Sequence, residues 1–435
     1  MKDKVSFIHN NNNIGESNKL TTYKFKRVGF PCRVQPPHRG HLKTAIEGLT
    51  QGEELLIMIG SARTARSIIN PFAYEIRVRM FQILLLEAVE NGQLTTEDLA
   101  RVTFQPIRDD LYNMERWRGR VFELMYDELP HDIDDSELAM LSSDKDGDHK
   151  LREDWFPMWE TVAVASHDKI SATDVRELLF SEPRFDSNET NWHCHQNDVD
   201  NHHRMRQRML SGGRNSPITP AIGKFLRDWI KSDDYAILAD EYNTVDEKYW
   251  ERERIIKRAM DEAELPYYKS SFNTCDAVVI CSGHVLLVER GEAPGKGLLA
   301  IPGGYLNSTD TFSRDGALRE LFEETKMDIP YPILNSSIFD TKAFDHKERD
   351  VRGRVITQAF GIHLPRQKTA AKDGHVVRQH RGLPKVKGSD DAADAIWVPL
   401  SKFRDTNSSI EPQMFGDHFH IINYMVGRLD NAQYK

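Results

Sequence analysis

Glu320, Glu323 and Glu324 stand at i, i+3 and i+4, so within a helix their carboxylates converge on one face. Clustered acids repel one another unless a cation sits between them. Hard divalent ions such as Mg²⁺ or Mn²⁺ take oxygen ligands and keep waters for a substrate's phosphates. The three glutamates are therefore candidate metal ligands and catalytic residues, and Arg319 beside them can pair with a neighbouring carboxylate and fix its orientation. Ala317, Leu318, Leu321 and Phe322 supply the side of that helix expected to be buried. A solvated acidic face accounts for three glutamates alone. It does not account for Gly303-Gly304-Tyr305 ahead of them, for the arginine, or for the strand-like runs before and after.

A second set of chemical groups lies far upstream. His38 and His41, with Gly40 between them, sit where a strand gives way to a helix, and both can face a phosphate presented to that helix N-terminus. Ser171, Thr173 and Arg176 open another helix; its hydroxyls can cap free backbone amides or donate to phosphate, and the guanidinium can grip phosphate oxygens. Each piece alone has a plainer reading, a pair of loop histidines in one case and ordinary helix caps in the other.

The elements that position these groups follow from periodicity. A strand-like run over 23–30 precedes the histidine loop, and 42–49 has helical spacing. Residues 55–59 form a continuous apolar run ending at Gly60, the look of a fully buried parallel strand. A helix over 74–90, strands near 102–107 and 161–166, and a helix from Thr173 continue the alternation, which predicts a doubly wound, Rossmann-like α/β sheet over 23–235. Between 181 and 216 the composition turns to Asn, Asp, His, Arg and Ser with almost no apolar period, so an inserted surface loop is expected. Its His193, His195, His202 and His203 lack strict ligand spacing, which favours a solvated loop over a metal site. Residues 225–260 read as helical, 236–266 as a connector, and Pro266 as a boundary. Beyond it, strands at 276–280 and 285–289 joined by Ser282-Gly283, a helix at 315–325 and strands near 355–360 and 395–398 predict an α+β domain with a mixed sheet over 267–435.

Bulk properties agree with two domains, since 435 residues exceed one comfortable core. Hydrophobic residues at 39% and charged residues at 29% are those of a globular protein, and a net charge of −9 gives no general reason to bind nucleic acid or an anionic membrane. Four cysteines with no CxxC pair make no disulfide framework; Cys32, Cys275 and Cys281 read as reduced thiols. No apolar run reaches membrane-spanning length, the first residues lack a signal peptide's apolar stretch, and Asn10 to Gly15 look like a disordered tail within 1–22. A cytoplasmic setting is expected.

Residues 303–325 resemble the Nudix hydrolase signature. Asp310 fills its acidic place six residues after Gly304; the spacing from there to Arg319 is one residue longer than usual, and Lys326 stands where a glycine normally follows the Glu-Glu pair. The flanking Asp276-Ala277-Val278-Val279, Ala293-Pro294-Gly295-Lys296-Gly297, Arg352-Gly353-Arg354 and Asp390-Asp391-Ala392 are similar to ADP-ribose-type Nudix domains. The upstream set resembles the HxGH and ISxTxxR signatures of nucleotidylyltransferases, and is similar above all to nicotinamide mononucleotide (NMN) adenylyltransferases through residues 61–72 and Asp110-Leu111-Tyr112-Asn113 with Trp117. That family's glycine before Arg33 is Cys32 here, and its phenylalanine is Val34.

Over residues 28–400 the chain resembles the bifunctional NMN adenylyltransferase/Nudix hydrolases. The resemblance implies that His38 and His41 contact ATP phosphates, that Arg176 stabilises the departing pyrophosphate, and that Asn113 and Trp117 hold the nicotinamide, unless Trp117 simply packs. Arg33, Gln35, Ser171, Thr173, Arg63 and Arg66 complete the implied nucleotide-binding set for a Mg²⁺-dependent adenylyl transfer from ATP to NMN that gives NAD and pyrophosphate. The resemblance further implies that Glu320, Glu323 and Glu324 hold Mg²⁺ or Mn²⁺ for hydrolysis of ADP-ribose to AMP and ribose 5-phosphate. Implied partners are ATP, NMN, NAD and ADP-ribose, with neither nucleic acid nor membrane, and compatible with a homo-oligomer. The alternatives keep both folds. Other nucleotides can serve as substrates (NADH or dinucleoside polyphosphates at the Nudix site), or the chain is a non-catalytic sensor of NAD metabolites.

Overall fold

The computed structural model describes residues 23–143, 154–165, 171–181, 192–364, 371–372, 375–376, 383–405 and 408–433. The expected tail over 1–22 and the stretch 182–191 of the polar insert lie outside them. The chain divides into two compact units, the division falling between Asp240 and Glu241.

In the N-terminal unit β1 (Phe25–Cys32), β2 (Gly52–Ile59), β3 (Val102–Pro106), β4 (Leu138–Ser143) and β5 (Glu160–Val164) form one sheet in the order β3-β2-β1-β4-β5, every pair parallel. A parallel sheet buried on both faces needs apolar residues without alternation, and Leu55, Ile57, Met58 and Ile59 of β2 are fully buried. Helix α1 (Arg39–Gln51) buries Leu42, Ala45 and Leu49, and α2 (Tyr74–Glu90) buries Val78, Phe81 and Leu85, the spacing of one helical face. The strand order reverses direction at β1, with β2 on one side and β4 on the other. In such sheets the crevice beyond the strands' carboxyl ends at this switch is where ligands bind. The loop carrying His38 leaves β1 at that point.

The polar insert corrects one expectation. Trp192–Ser211 is a helix, not a loop. It contains neither glycine nor proline, and tertiary contacts near its C-terminal end replace the missing apolar period. Met209 and Leu210 are buried, His202 hydrogen-bonds the Ser181 hydroxyl at 2.9 Å, and Arg206 donates to the Tyr235 hydroxyl at 2.5 Å. Helices Pro220–Trp229, Asp233–Val245 and Glu251–Glu262 follow, with a π-helical turn at Asp246–Trp250. No helix among the described residues is long and apolar enough to cross a membrane.

In the C-terminal unit β6 (Ser271–Cys281) is central. It pairs with β7 (His284–Arg290) through a two-residue turn at Ser282 (φ 47°) and Gly283 (φ 76°), left-handed conformations that match a tight hairpin. Two short strands fold back on this hairpin, β8 (Leu299–Ala300) on β7 and β9 (Gly303–Tyr305) on β6. β10 (Ile338–Phe344) pairs antiparallel with β11 (Arg354–Leu364), which runs parallel to β6 on its other side, and Ala392–Pro399 closes the sheet beside β7. The sheet is therefore mixed. Helix Ser313–Thr325 packs Ala317, Leu318 and Leu321 on Cys275, Ala277 and Phe360. Phe322 is 55% exposed, against expectation. One residue turns a helix by about 100°, which carries position 322 off the core face, and Thr325 (0% exposed) takes the inward place.

Candidate active sites

His38 caps α1 with its ring: Nδ1 accepts the Gly40 N–H at 3.1 Å, while His41 Nδ1 accepts the His38 N–H at 3.1 Å. The ring centroids lie 3.9 Å apart. Because both Nδ1 atoms accept, the neutral rings carry their protons on Nε2, so two N–H donors stand with the helix N-terminus, where the backbone dipole also favours an anion. Gly40 is required here, since a Cβ on it would lie 2.8 Å from the His38 ring.

The loop before these histidines is held from beneath. Arg77, 1% exposed, donates to the carbonyls of Arg33 (2.9 Å), Gly60 (2.7 Å) and Ser61 (3.0 Å). Burial lowers its pKa to about 10, which still leaves it charged. Gln35 is buried with both ends of its amide on the Phe72 backbone, at 3.0 and 3.1 Å. Its side chain thus shapes the loop, and its carbonyl receives Arg176 Nη1 at 2.6 Å across 141 residues of sequence. Val34 sits at φ 48°, a left-handed conformation that costs a β-branched residue about 1–3 kcal/mol. Strain of this kind persists where surrounding structure over-determines it, and Arg77 and Gln35 supply that frame.

Arg176 also donates from Nη2 to Thr173 Oγ1 at 3.0 Å, and its pKa falls to about 10 through burial first and the neighbouring Arg33 second. A second guanidinium, Arg33, close enough to lower the affinity of Arg176 for its proton makes the pair a place for an anion. Ser171 is occupied differently. Its hydroxyl donates to Asp174 at 2.9 Å and accepts the Asp174 N–H at 3.3 Å, a capping box. Arg66 is exposed and paired with Asp234 at 2.5 Å, and Arg63 is half-buried in the same segment. Asn113 is the exposed N-cap of helix Met114–Tyr126, accepting the Arg116 N–H at 3.2 Å. Trp117 packs against Trp155 and Phe156, with centroids at 5.8 and 6.3 Å. His38, His41, Arg33 and Arg176 therefore converge on one loop; Asn113 and Trp117 belong to another element of the same unit.

In the C-terminal unit the Gly-Gly pair lies on β9, Gly303 opposite Asp276 and Gly304 opposite Cys275. A Cβ on Gly304 would fall 2.6 Å from the Glu320 carboxylate, and one on Gly303 would strike Asp276. The glycines thus let two acids press against a strand. Arg319 organises the helix side: Nη1 donates to Glu320 and Glu323, each at 2.8 Å, Nε and Nη2 hold both Asp310 oxygens at 3.1 and 2.9 Å, and Nη2 also reaches the Tyr305 carbonyl at 3.1 Å. The longer spacing from Asp310 to Arg319 leaves this clamp intact. Glu324, 8% exposed, accepts the Gly303 N–H at 3.0 Å. Its pKa is pushed up to about 8 by burial, then by Glu320 and Asp276. Burial likewise raises Glu320, against the pull of Arg319. Lys326 ends the helix at φ 47°, the left-handed position for which glycine is suited, which explains why the signature has glycine there.

These acids line a cavity of about 400 Å³ whose other wall is cationic and aromatic. Arg352, paired with Asp350 at 2.6 Å, lies over the rings of Tyr305 (5.2 Å) and Tyr249 (5.9 Å), and Arg290 lies 4.2 Å from the Phe415 centroid. Sequence reasoning quoted Asp276 and Arg352 without giving them a place in the site, and missed Tyr249, Arg290 and His418 altogether. Only Asp276, an acid inside an apolar strand, carried a local signal. A larger recess of about 820 Å³, lined by Ser282, His363, Arg404 and Asp430, holds no acid cluster, and its arginine is paired to Asp430 at 2.7 Å.

Among the described residues no three His, Cys, Asp or Glu side chains are gathered as a ready-made metal site. Glu320 and Glu323 share Arg319, and Glu324 leans on the Gly303 amide. The donor chemistry nonetheless fits a hard divalent cation. The carboxylate oxygens are crowded and partly desolvated, and a cation would offset both the burial and the neighbouring charges that lift the Glu324 pKa.

A cytidylyltransferase-like family model matches residues 30–178, and a NUDIX domain model matches residues 273–415. The nicotinamide/nicotinic acid mononucleotide adenylyltransferase of Acinetobacter baylyi is 32% identical over 159 residues, 36% of this chain and 77% of the relative. The nicotinamide-nucleotide adenylyltransferase of Pyrobaculum aerophilum is 32% identical over 160 residues, covering 35% and 76%. A crystal structure of a bifunctional NMN adenylyltransferase/ADP ribose pyrophosphatase from Francisella tularensis, complexed with AMP and a Mn ion, aligns with a TM-score of 0.68 and 25% identity over 93% of this chain and 99% of that one. The chain belongs to the bifunctional NMN adenylyltransferase/Nudix hydrolase family, a nucleotidyltransferase domain followed by a Nudix hydrolase domain.

Proposed function

We propose that the N-terminal unit transfers the adenylyl group of ATP to NMN, giving NAD and pyrophosphate, and that the C-terminal unit hydrolyses ADP-ribose to AMP and ribose 5-phosphate. The observation that carries this reading is the opposite charge of the two sites: a guanidinium pair and two Nε2–H donors in one, three crowded carboxylates in the other.

In the transfer, an NMN phosphate oxygen forms a bond to the α-phosphorus of ATP as the bond to the β-phosphate oxygen breaks, without a covalent enzyme intermediate. His38 and His41 donate from Nε2 to ATP phosphate oxygens. Arg176 and Arg33 receive the charge that gathers on departing pyrophosphate, which lessens their mutual repulsion. Thr173 orients Arg176, and Gln35 and Ser171 hold the loop and the helix start. Asn113, and Trp117 by the part of its ring not packed on Trp155 and Phe156, would hold the nicotinamide. Arg63 and Arg66, in the segment 61–72 that is similar to NMN adenylyltransferases, complete the nucleotide-binding set.

In the hydrolysis, water adds to one phosphorus of the diphosphate and the other phosphate leaves. Glu320, Glu323 and Glu324 would hold Mg²⁺ or Mn²⁺, which would supply charge neutralisation and a more acidic water. Arg319 sets the direction of Glu320 and Glu323, and the Gly303 amide that of Glu324. Competition among ADP-ribose, NADH and a dinucleoside polyphosphate for the purified chain, read by product chromatography, tests the substrate. Preferential appearance of AMP and ribose 5-phosphate supports the proposal, and faster cleavage of either competitor overturns it.

A further inference from the structure

His418 stands at the start of helix His418–Gln433, far in sequence from the Nudix signature, yet it lines the carboxylate cavity and is only 7% exposed. Its Nδ1 accepts the Ile301 N–H at 2.8 Å, and its ring stands edge-to-face with Phe415 at 5.5 Å and 78°. A ring fixed in this way by one nitrogen presents the other with no choice of tautomer: with Nδ1 an acceptor, the neutral imidazole carries its proton on Nε2. Burial keeps the ring neutral by lowering its pKa, with Arg349 and Arg290 adding to burial and Asp276 and Asp417 opposing it.

Neutrality matters in this cavity. A lysine or arginine in the same place would pair with the acids, as Arg319 already does with Glu320 and Glu323. An imidazole N–H adds a donor without cancelling the negative charge that recruits a cation. Arg290 gives its Nε to the Pro294 carbonyl at 2.8 Å and Arg352 gives one edge, Nε and Nη2, to Asp350, so both cations on this wall are oriented by the protein. We propose that His418 is a further substrate-contacting residue of the hydrolase site, a neutral donor whose Nε2–H meets a non-bridging oxygen of the bound diphosphate. The inference rests on the hydrolase reading above and adds to it a group from outside the signature. His418 also fixes the backbone at Ile301, two residues before Gly303, so it ties substrate contact to the strand that carries the Gly-Gly pair.

The test uses the full chain with ¹⁵N-labelled histidine and, as probe, the methylene-bridged analogue of ADP-ribose, which cannot be cleaved at its P–C–P bridge. The His418 resonances are assigned by their loss in His418→Gln. The Nε2–H signal should move on addition of the analogue and stay in place with adenosine alone. In steady state His418→Leu should lower kcat/KM for ADP-ribose by about tenfold to a hundredfold, the loss of one hydrogen bond to a charged group. His418→Gln, whose amide can both accept from Ile301 and donate to phosphate, should recover most of it. Binding of the analogue with an unmoved Nε2–H signal overturns this inference alone. Failure of the wild-type chain to bind the analogue and to cleave ADP-ribose overturns the hydrolase reading beneath it as well.

Discussion

In the N-terminal unit the loop after β1 gathers cations, Arg33 beside Arg176, above a buried Arg77 that holds the loop by its carbonyls. In the C-terminal unit the carboxylate helix gathers acids, and one arginine, Arg319, ties Asp310, Glu320 and Glu323 together. Both substrates carry phosphate, so the contrast shows two ways to manage the same charge. On the proposed reading the first site meets phosphate with the protein's own donors, beside the Mg²⁺ expected with ATP, which matches a reaction whose leaving group is highly charged pyrophosphate. On the same reading the second presents negative charge that would recruit a cation, which matches a reaction that must also lower the pKa of water. Each uses glycine for close approach, Gly40 beneath the His38 ring and Gly304 against Glu320.

Independent chemistry in the two units implies variants that silence one and spare the other. The largest effect belongs to Glu324→Gln, which removes a nearly buried carboxylate from the acid set: ADP-ribose cleavage should fall by about a thousandfold or more while NAD formation is retained, as read by product chromatography. His41→Ala should lower NAD formation by about a hundredfold to a thousandfold, the scale for losing a preorganised donor to developing charge, with hydrolysis unchanged. Gly304→Ala sharpens the contrast by geometry alone. Its Cβ would lie 2.6 Å from the Glu320 carboxylate, so hydrolysis should drop by about tenfold or more at saturating Mn²⁺. The smallest effect is on stability: Lys326→Gly removes a left-handed lysine and should stabilise the C-terminal unit by about 1 kcal/mol, seen as a raised thermal midpoint.

The parts of this molecule written in short-range pattern were legible in its sequence. The buried run of β2, the face of α2, the Ser282-Gly283 hairpin and the carboxylate helix all follow from periodicity and turn chemistry. What stayed hidden depends on residues that meet only after folding. Helix Trp192–Ser211 lacks an apolar period and is anchored instead by Met209, Leu210 and polar contacts to Ser181 and Tyr235. Gln35 looks like a ligand-binding residue by position but spends its amide on Phe72, 37 residues away. His418 and Tyr249 reach the carboxylate cavity from elements with no motif of their own. Phe322 was misplaced because four apolar residues were assigned to one face that Thr325 completes.

Product analysis of the purified chain bears most directly on the central claim, two chemistries in two separate sites. One incubation holds NMN, ATP and Mg²⁺, a second holds ADP-ribose with Mg²⁺ or Mn²⁺, and both are repeated with Glu324→Gln and His41→Ala. The account expects NAD with pyrophosphate in the first, abolished only by His41→Ala, and AMP with ribose 5-phosphate in the second, abolished only by Glu324→Gln. Survival of both substrate sets with the intact chain, or loss of both activities in either variant while the protein remains folded, would contradict it.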